Sequence, residues 1–193
     1  MVRVRQASEP MSRDEIVVEP LETERLALEP VRPAHADEMA PLLGDRRLYA
    51  FTGGIPPTLD ELRARYARQA TGRSPDGVER WFNWIVRRCE DGLAVGFVQA
   101  AISDDPPRPA PLTAVLGWAL GVQFHGRGYA REAAGAMLRW LEASGATRAV
   151  AYIHPEHSAS MDVARALGLA PTDELVDGEV VWERHSGTVA PPH

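Results

Sequence analysis

The chain has 193 residues, 45% hydrophobic and 25% charged, so it lies in the globular range and can bury one sizeable core; a single α/β domain is the economical reading. Its 27 acidic against 21 basic side chains give a net charge of −6, which argues against a nucleic-acid partner or an anionic membrane and leans toward cationic or neutral partners. Cys89 is the only cysteine, which excludes an intrachain disulfide, and no apolar run approaches the roughly 20 residues of a spanning helix, so a cytoplasmic location is expected.

Residues 1–15 and 186–193 offer no periodic apolar face and are expected to be disordered tails around one domain at residues 16–185. Residues 1–20 mix charges with proline and do not read as a signal peptide. In residues 21–30, Leu26 and Leu28 alternate with Arg25, Ala27 and Glu29, as in a strand with one wet face. Pro33 suits a first helical position, and Ala36, Met39, Ala40 and Leu43 follow at helical spacing until Gly44. Thr58 and Glu61 form a capping box for a second helix whose Leu59, Leu62 and Tyr66 share one face; it is expected to end near Gly72.

Turn chemistry at residues 73–77 separates this helical half from two apolar runs, 81–86 and 94–102, which read as paired strands linked through Asp91 and Gly92. Four prolines at 104–111 make a loop before an almost wholly apolar strand at 113–122. Ala130, Ala133, Ala134, Met137, Leu138 and Leu141 then mark one face of a helix that Gly145 stops. Residues 148–153 read as a strand, 158–167 as a helix closed by Gly168, and Val180 to Trp182 as part of a final strand.

Between the apolar strand and the helix stands His125-Gly-Arg-Gly-Tyr-Ala130. Two glycines let successive N–H groups converge and the helix adds its positive end, which together suit a phosphate or pyrophosphate, with Arg127 supplying charge beside it. On local features alone the segment favours anion binding, with a tight connection as the alternative. A dinucleotide fingerprint would need a small residue where Arg131 stands and an acid near position 148, which is Arg; a nucleotide P-loop would need a Gly-Lys-Ser/Thr ending.

The string G-W-A-L-G-V-Q-F-H-G-R-G-Y-A-R-E-A resembles motif A of the GNAT acetyltransferases, and in particular their RimJ/RimL-like branch. His154-Pro-Glu-His-Ser-Ala-Ser-Met, Ala166-Leu-Gly-Leu169 and the opening Leu21-Glu-Thr-Glu-Arg-Leu are similar to further signatures of that branch. The resemblance implies a mixed sheet of six to seven strands, splayed in the middle and flanked by about four helices, with acetyl-CoA as co-substrate in the gap. It implies that Leu120 and Val122 offer backbone groups to the pantetheine arm and that His125, Gly126, Arg127, Gly128, Tyr129 and Ala130 wrap the pyrophosphate. By the same resemblance His157 and Ser160 also contact the cofactor, with Ser160 near the thioester sulfur. His125, His157 and Leu169 depart from the residues usual at those positions.

Acetyl transfer needs a neutral amine, stabilisation of an oxyanion and a proton for the thiolate. A strand N–H near Leu120 could serve the oxyanion. Ser160 could serve the thiolate, although a hydroxyl in a helix's first turn is commonplace. Glu79, Asp177 and Glu179 flank strands and are candidate bases, Glu79 foremost; the ordinary role of such residues is solvation, and water chains could serve instead. His154 and His157 are weak evidence for a metal, and none is expected. Trp81, Phe82 and Trp84 read as sheet packing, with one of them open to lining an acceptor pocket, and Cys89 reads as filler. The expected activity is acetyl-CoA-dependent transfer to a primary amine of a small molecule, an antibiotic or a protein N-terminus. The alternative is a non-catalytic acyl-CoA-binding or regulatory module on the same fold. An exposed strand edge would support a homodimer.

Overall fold

The computed structural model describes residues 17–103 and 112–186. The tails expected at the termini, Ser186 apart, and the proline-rich loop lie outside those residues. Among the described residues eight strands form one sheet, in the order β1-β2-β3-β4-β5-β6-β8-β7, with four α-helices packed on it.

β1 (Leu21–Glu22) and β2 (Leu26–Pro30) are antiparallel neighbours. The single opening strand expected from the alternation is broken because Thr23 closes a local turn. Its N–H donates to the Leu26 carbonyl, and its hydroxyl oxygen accepts from the Leu26 N–H. A 3-10 turn at Pro33–His35 leads into α1 (Ala36–Leu43). α2 (Leu59–Gln69) begins with the expected capping box: the Thr58 hydroxyl accepts from the Glu61 N–H at 3.3 Å and the Glu61 carboxylate from the Thr58 N–H at 2.8 Å.

β3 (Glu79–Arg88) and β4 (Ala94–Ser103) form an antiparallel hairpin turned at Gly92, each longer than its apolar run suggested. Cys89, expected as filler, is exposed in the turn after β3. β5 (Thr113–Leu120) pairs antiparallel with β4 and parallel with β6 (Arg148–Ile153). The parallel pairing holds only for Thr113 with Arg148, Ala114 with Ala149 and Val115 with Val150; beyond Val115 the two strands part.

α3 (Tyr129–Ala143) follows β5, and α4 (Ser158–Ala166) follows β6 and packs beside it and α3. The chain closes with the hairpin of β7 (Ala170–Val176) and β8 (Glu179–His185), whose tight turn holds Asp177 and Gly178 at φ 52° and 85°.

Strand periodicity divides the sheet's side chains between two helical layers. Phe82 and Trp84 point to α3, where the Trp140 ring meets both edge-on at 5.4 and 5.2 Å. Buried Ala133, Ala134, Met137, Leu138 and Leu141 complete that layer, the alanines letting the helix approach the strands closely. The neighbouring positions of β3, among them Asn83 and Ile85, face the side covered by α1 and α2, where Met39, Leu43, Leu62 and Tyr66 are buried. No described helix is long and apolar enough to cross a membrane.

Candidate active site

β5 delivers the chain to the mouth of the gap. It stops at Leu120, two residues earlier than expected, and Val122 opens a 3-10 turn, Val122–Phe124, instead of extending the strand. The Val122 carbonyl accepts from the His125 N–H at 3.1 Å, which tightens the turn. The His125 ring folds back so that Nε2 lies 2.8 Å from the Leu120 carbonyl. The departure at this position therefore ties off the end of β5.

The next residues cross left-handed backbone at Gly126 (φ 73°) and Gly128 (φ 78°), and Gly128 is the N-cap of α3. Six successive N–H groups, from Gly126 to Arg131, have no hydrogen-bond partner among the described residues. His125, Gly126, Arg127 and Gly128 are exposed, Ala130 is half-buried, and Tyr129 is buried beneath the loop. Orphaned donors, the positive end of a 15-residue helix and the Arg127 guanidinium make a cradle for a polyanion.

A network that local sequence patterns do not show holds the cradle from behind. Glu132, in the first turn of α3, accepts from the Thr23 hydroxyl at 2.7 Å, the Arg25 N–H at 3.0 Å and Arg25 Nε at 2.7 Å. Arg25 Nη1 then donates to the Arg127 carbonyl at 3.1 Å, and its guanidinium lies 4.9 Å over the Tyr129 ring. Burial pushes the Glu132 carboxyl up, but the hydrogen bonds from Thr23 and Arg25 outweigh it and hold the group ionised below its usual range. Thr23 and Arg25 come from the opening string and Glu132 from the string that spans the loop, so the two are halves of one contact.

Across the gap, β6 leads to His154, His157 and α4. Phe51, from the segment between α1 and α2, stacks on the His157 ring at 4.5 Å and 24° and tilts against His154 at 5.5 Å. Burial lowers the pKa of His157, and the charges of His125 and His154 lower it further, so histidines from both splayed strands meet here. Asp45, drawn down to about 2 by the Arg47 side chain and backbone, also senses His125. Ser160 is half-buried in the first turn of α4, three residues from His157 and on the same helix side. No group of three His, Cys, Asp or Glu among the described residues could hold a metal ion.

The face of β3, β4 and β5 toward α2 holds two adjoining cavities. The outer, about 320 Å³, is lined by Glu79, Trp81, Val115 and Gly117; the inner, about 40 Å³, by Tyr66 and Phe97 among others; Gln69, Asn83 and Gln99 line both. Trp81 thus lines the outer cavity, Trp84 is a buried core residue that also lines the inner one, and Phe82 is core alone. Asp177 and Glu179 lie in the β7–β8 hairpin and line neither cavity. Asn83 and Gln99 were detectable in principle: each interrupts an apolar strand, and the register sets them opposite each other.

A splayed parallel pair with an N–H cradle at the exit of one strand forms a cleft that can seat an extended polyanionic ligand. The family model of the acetyltransferase (GNAT) domain matches residues 25–170, and the chain belongs to that family. It is therefore an acyltransferase with the α/β fold of that family, here with eight strands. No curated protein matches it. Among solved structures it is similar to an acetyltransferase from Agrobacterium tumefaciens, 26% identical, with a TM-score of 0.67 over 93% of this chain and 100% of that one. RimL, a ribosomal alpha-N-protein acetyltransferase solved with coenzyme A, is 16% identical with a TM-score of 0.67, over 86% and 98% of the two chains. An aminoglycoside acetyltransferase, AAC(6')-Ib, also solved with coenzyme A, is 13% identical with a TM-score of 0.68, over 83% and 95%. At those identities the last two share the fold.

Proposed function

We propose that the chain is a cytoplasmic acetyl-CoA-dependent N-acetyltransferase that moves an acetyl group to a primary amine of a small molecule, an antibiotic or a protein N-terminus. The observation that carries this reading is the run of six unpartnered N–H groups opening α3 beside the parting of β5 and β6. The N–H groups of Gly126 to Arg131 hold the pyrophosphate, that of His125 being taken by the Val122 carbonyl, while the free edge of β5 beyond Val115 hydrogen-bonds the amide-bearing arm as a further strand would. Acetyl-CoA supplies an activated acyl thioester.

The amine attacks directly: its nitrogen bonds to the acetyl carbon as the carbon–sulfur bond breaks, with no acyl group on the protein. A β5 N–H in the stretch open to the gap, from Gly117 to Leu120, stabilises the oxygen that becomes negative, and the Ser160 hydroxyl hydrogen-bonds the departing thiolate. His157 and the Phe51 ring on it wall the gap opposite His125. The proton released by the amine leaves through water in the cavity facing α2.

Calorimetric titration with acetyl-CoA tests the reading. Saturable binding is expected in the wild type, and Gly128→Val should abolish it while leaving the fold intact, because a β-branched residue is strained at φ 78°. No heat of binding at millimolar ligand would sink the idea. A non-catalytic acyl-CoA-binding module is the second reading, favoured by the His125 ring already occupying the Leu120 carbonyl. Thiol release above background with any amine of a panel excludes that module.

A further inference from the structure

Glu79 lies on the same cavity wall as the open edge of β5 but far from it. Asn83, Gln99 and Gly117 stand opposite one another in one row of the sheet, whereas Glu79 stands opposite Ser103, four residues back along β3. β5 is open to the gap only beyond Val115, so a thioester meets it in the Gly117 row or further on. Four residues of strand rise combined with two interstrand spacings put the Glu79 and Gly117 Cα atoms about 16 Å apart. A carboxylate at that distance does not take the proton of an amine attacking in the Gly117 row.

The same carboxylate is nonetheless held out for a ligand. The Trp81 indole N–H donates to Glu79 Oε2 at 2.9 Å, and Glu79 has no ion pair among the described residues. At the Gly117 end of the cavity stand the side chains of Asn83 and Gln99, with Gln69 on the same lining, and none of the three makes a hydrogen bond among the described residues. Beneath them the Tyr66 hydroxyl is buried without a partner in a residue only 4% exposed, and burial raises its pKa so that it stays a donor. Polar side chains without protein partners on an open cavity wall can exchange water for a polar ligand, and a carboxylate held only by an indole N–H can exchange it for a cation.

Resting on the acetyl-transfer reading, we propose that the acceptor is an elongated small amine carrying a second cationic group. The reacting nitrogen lies in the Gly117 row and the second cation on Glu79, roughly 10 Å away once the Glu79 side chain reaches inward. Asn83 and Gln99 serve hydrogen-bonding groups of the acceptor at the end of its reacting nitrogen, with Gln69 and Tyr66 on the same lining. Glu79 is then an acceptor-anchoring residue and not the general base. A cavity of about 320 Å³ suits a small molecule.

The test follows thiol release by the full chain with acetyl-CoA and a series of α,ω-diamines from diaminopropane to diaminodecane, each beside the monoamine of equal length. Expected is a kcat/KM that climbs with length, peaks where the nitrogens are roughly 10 Å apart, and there exceeds the monoamine by about tenfold. Glu79→Gln should raise KM for the best diamine by about tenfold and erase the length optimum, with kcat within about twofold. Glu79→Lys should transfer the preference to amines bearing a distal carboxylate. Steady turnover with a flat length profile overturns the acceptor class alone, and so does a Glu79→Gln variant that loses kcat at constant KM, the signature of a base. Acetyl-CoA binding without thiol release on any amine overturns acetyl transfer itself, and this inference with it.

Discussion

Removing the Glu132 carboxylate by Glu132→Ala strips the brace behind the cradle. Four donor atoms lose their acceptor: the Thr23 hydroxyl, the Arg25 N–H, Arg25 Nε and, in the ion pair at 2.5 Å, Arg25 Nη2. Charged hydrogen bonds each contribute about 1.5–3 kcal/mol, but the Arg25 side chain is 46% exposed, so screening reduces the total to about 2 kcal/mol. For a chain of this size that lowers Tm by about 4–8 °C. The released guanidinium no longer fixes the Arg127 carbonyl, so the peptide units of the loop lose their common orientation and acetyl-CoA affinity should fall about tenfold. Thermal melts and calorimetry on Glu132→Ala, Arg25→Ala and the double variant form a cycle whose expected coupling is about 1 kcal/mol. Because the fold depresses the Glu132 pKa, the contribution is present above the usual glutamate range and lost as pH falls through the depressed value. The Tm gap between wild type and Glu132→Ala should accordingly close in acid. Additive single-variant effects, or undiminished acetyl-CoA affinity in both, refute the brace.

Two further outcomes are expected. Gly96→Ala places a Cβ 2.2 Å from the Ala119 carbonyl oxygen and 2.8 Å from the Leu120 Cα, both backbone atoms, and so wedges β4 from β5; a loss of about 1–3 kcal/mol is expected in denaturant unfolding, and an unchanged midpoint would contradict the close approach. The folded state holds the His157 and His35 pKa values below normal, chiefly by burial, so the unfolded chain takes up protons first and stability falls as pH drops from about 6.5 toward the folded values. His157→Asn should soften that fall, leaving the part due to His35; superimposable melting-versus-pH curves for variant and wild type would rule this out.

Local rules made much of this molecule readable. The capping box at Thr58 and Glu61, the alanine stripe of α3 and the two glycines before it are written within a few neighbouring residues, and each appears where that chemistry puts it. β7 escaped because Pro171, Thr172, Asp173 and Glu174 show no apolar alternation: it is an exposed edge strand held by pairing to β8, with nothing to bury. The opening strand looks continuous in sequence because a side-chain turn at Thr23 costs no apolar periodicity. The end of β5 was set two residues late because Gly121 and Val122 are as apolar as the strand they follow. The network of Arg25 with Glu132 spans 107 residues of chain and leaves no local trace, and the distance from Glu79 to the reacting end of β5 exists only once the register is known.

Among the described residues, the three residue pairs that join β5 to β6 are the only ladder between two plates, β1 to β5 on one side and β6, β8 and β7 on the other. Main-chain pairing therefore rivets the plates at one end only, and the contact of α3 with α4 supplies a side-chain latch across the other. A molecule that hydrogen-bonds along the vacant edge of β5 and rests on α3 and α4 would extend the riveting through the full length of the seam. Occupancy of the gap and mechanical cohesion of the chain are then one quantity, so that amide exchange along residues 116–120 and 151–153 should slow together as the ligand saturates.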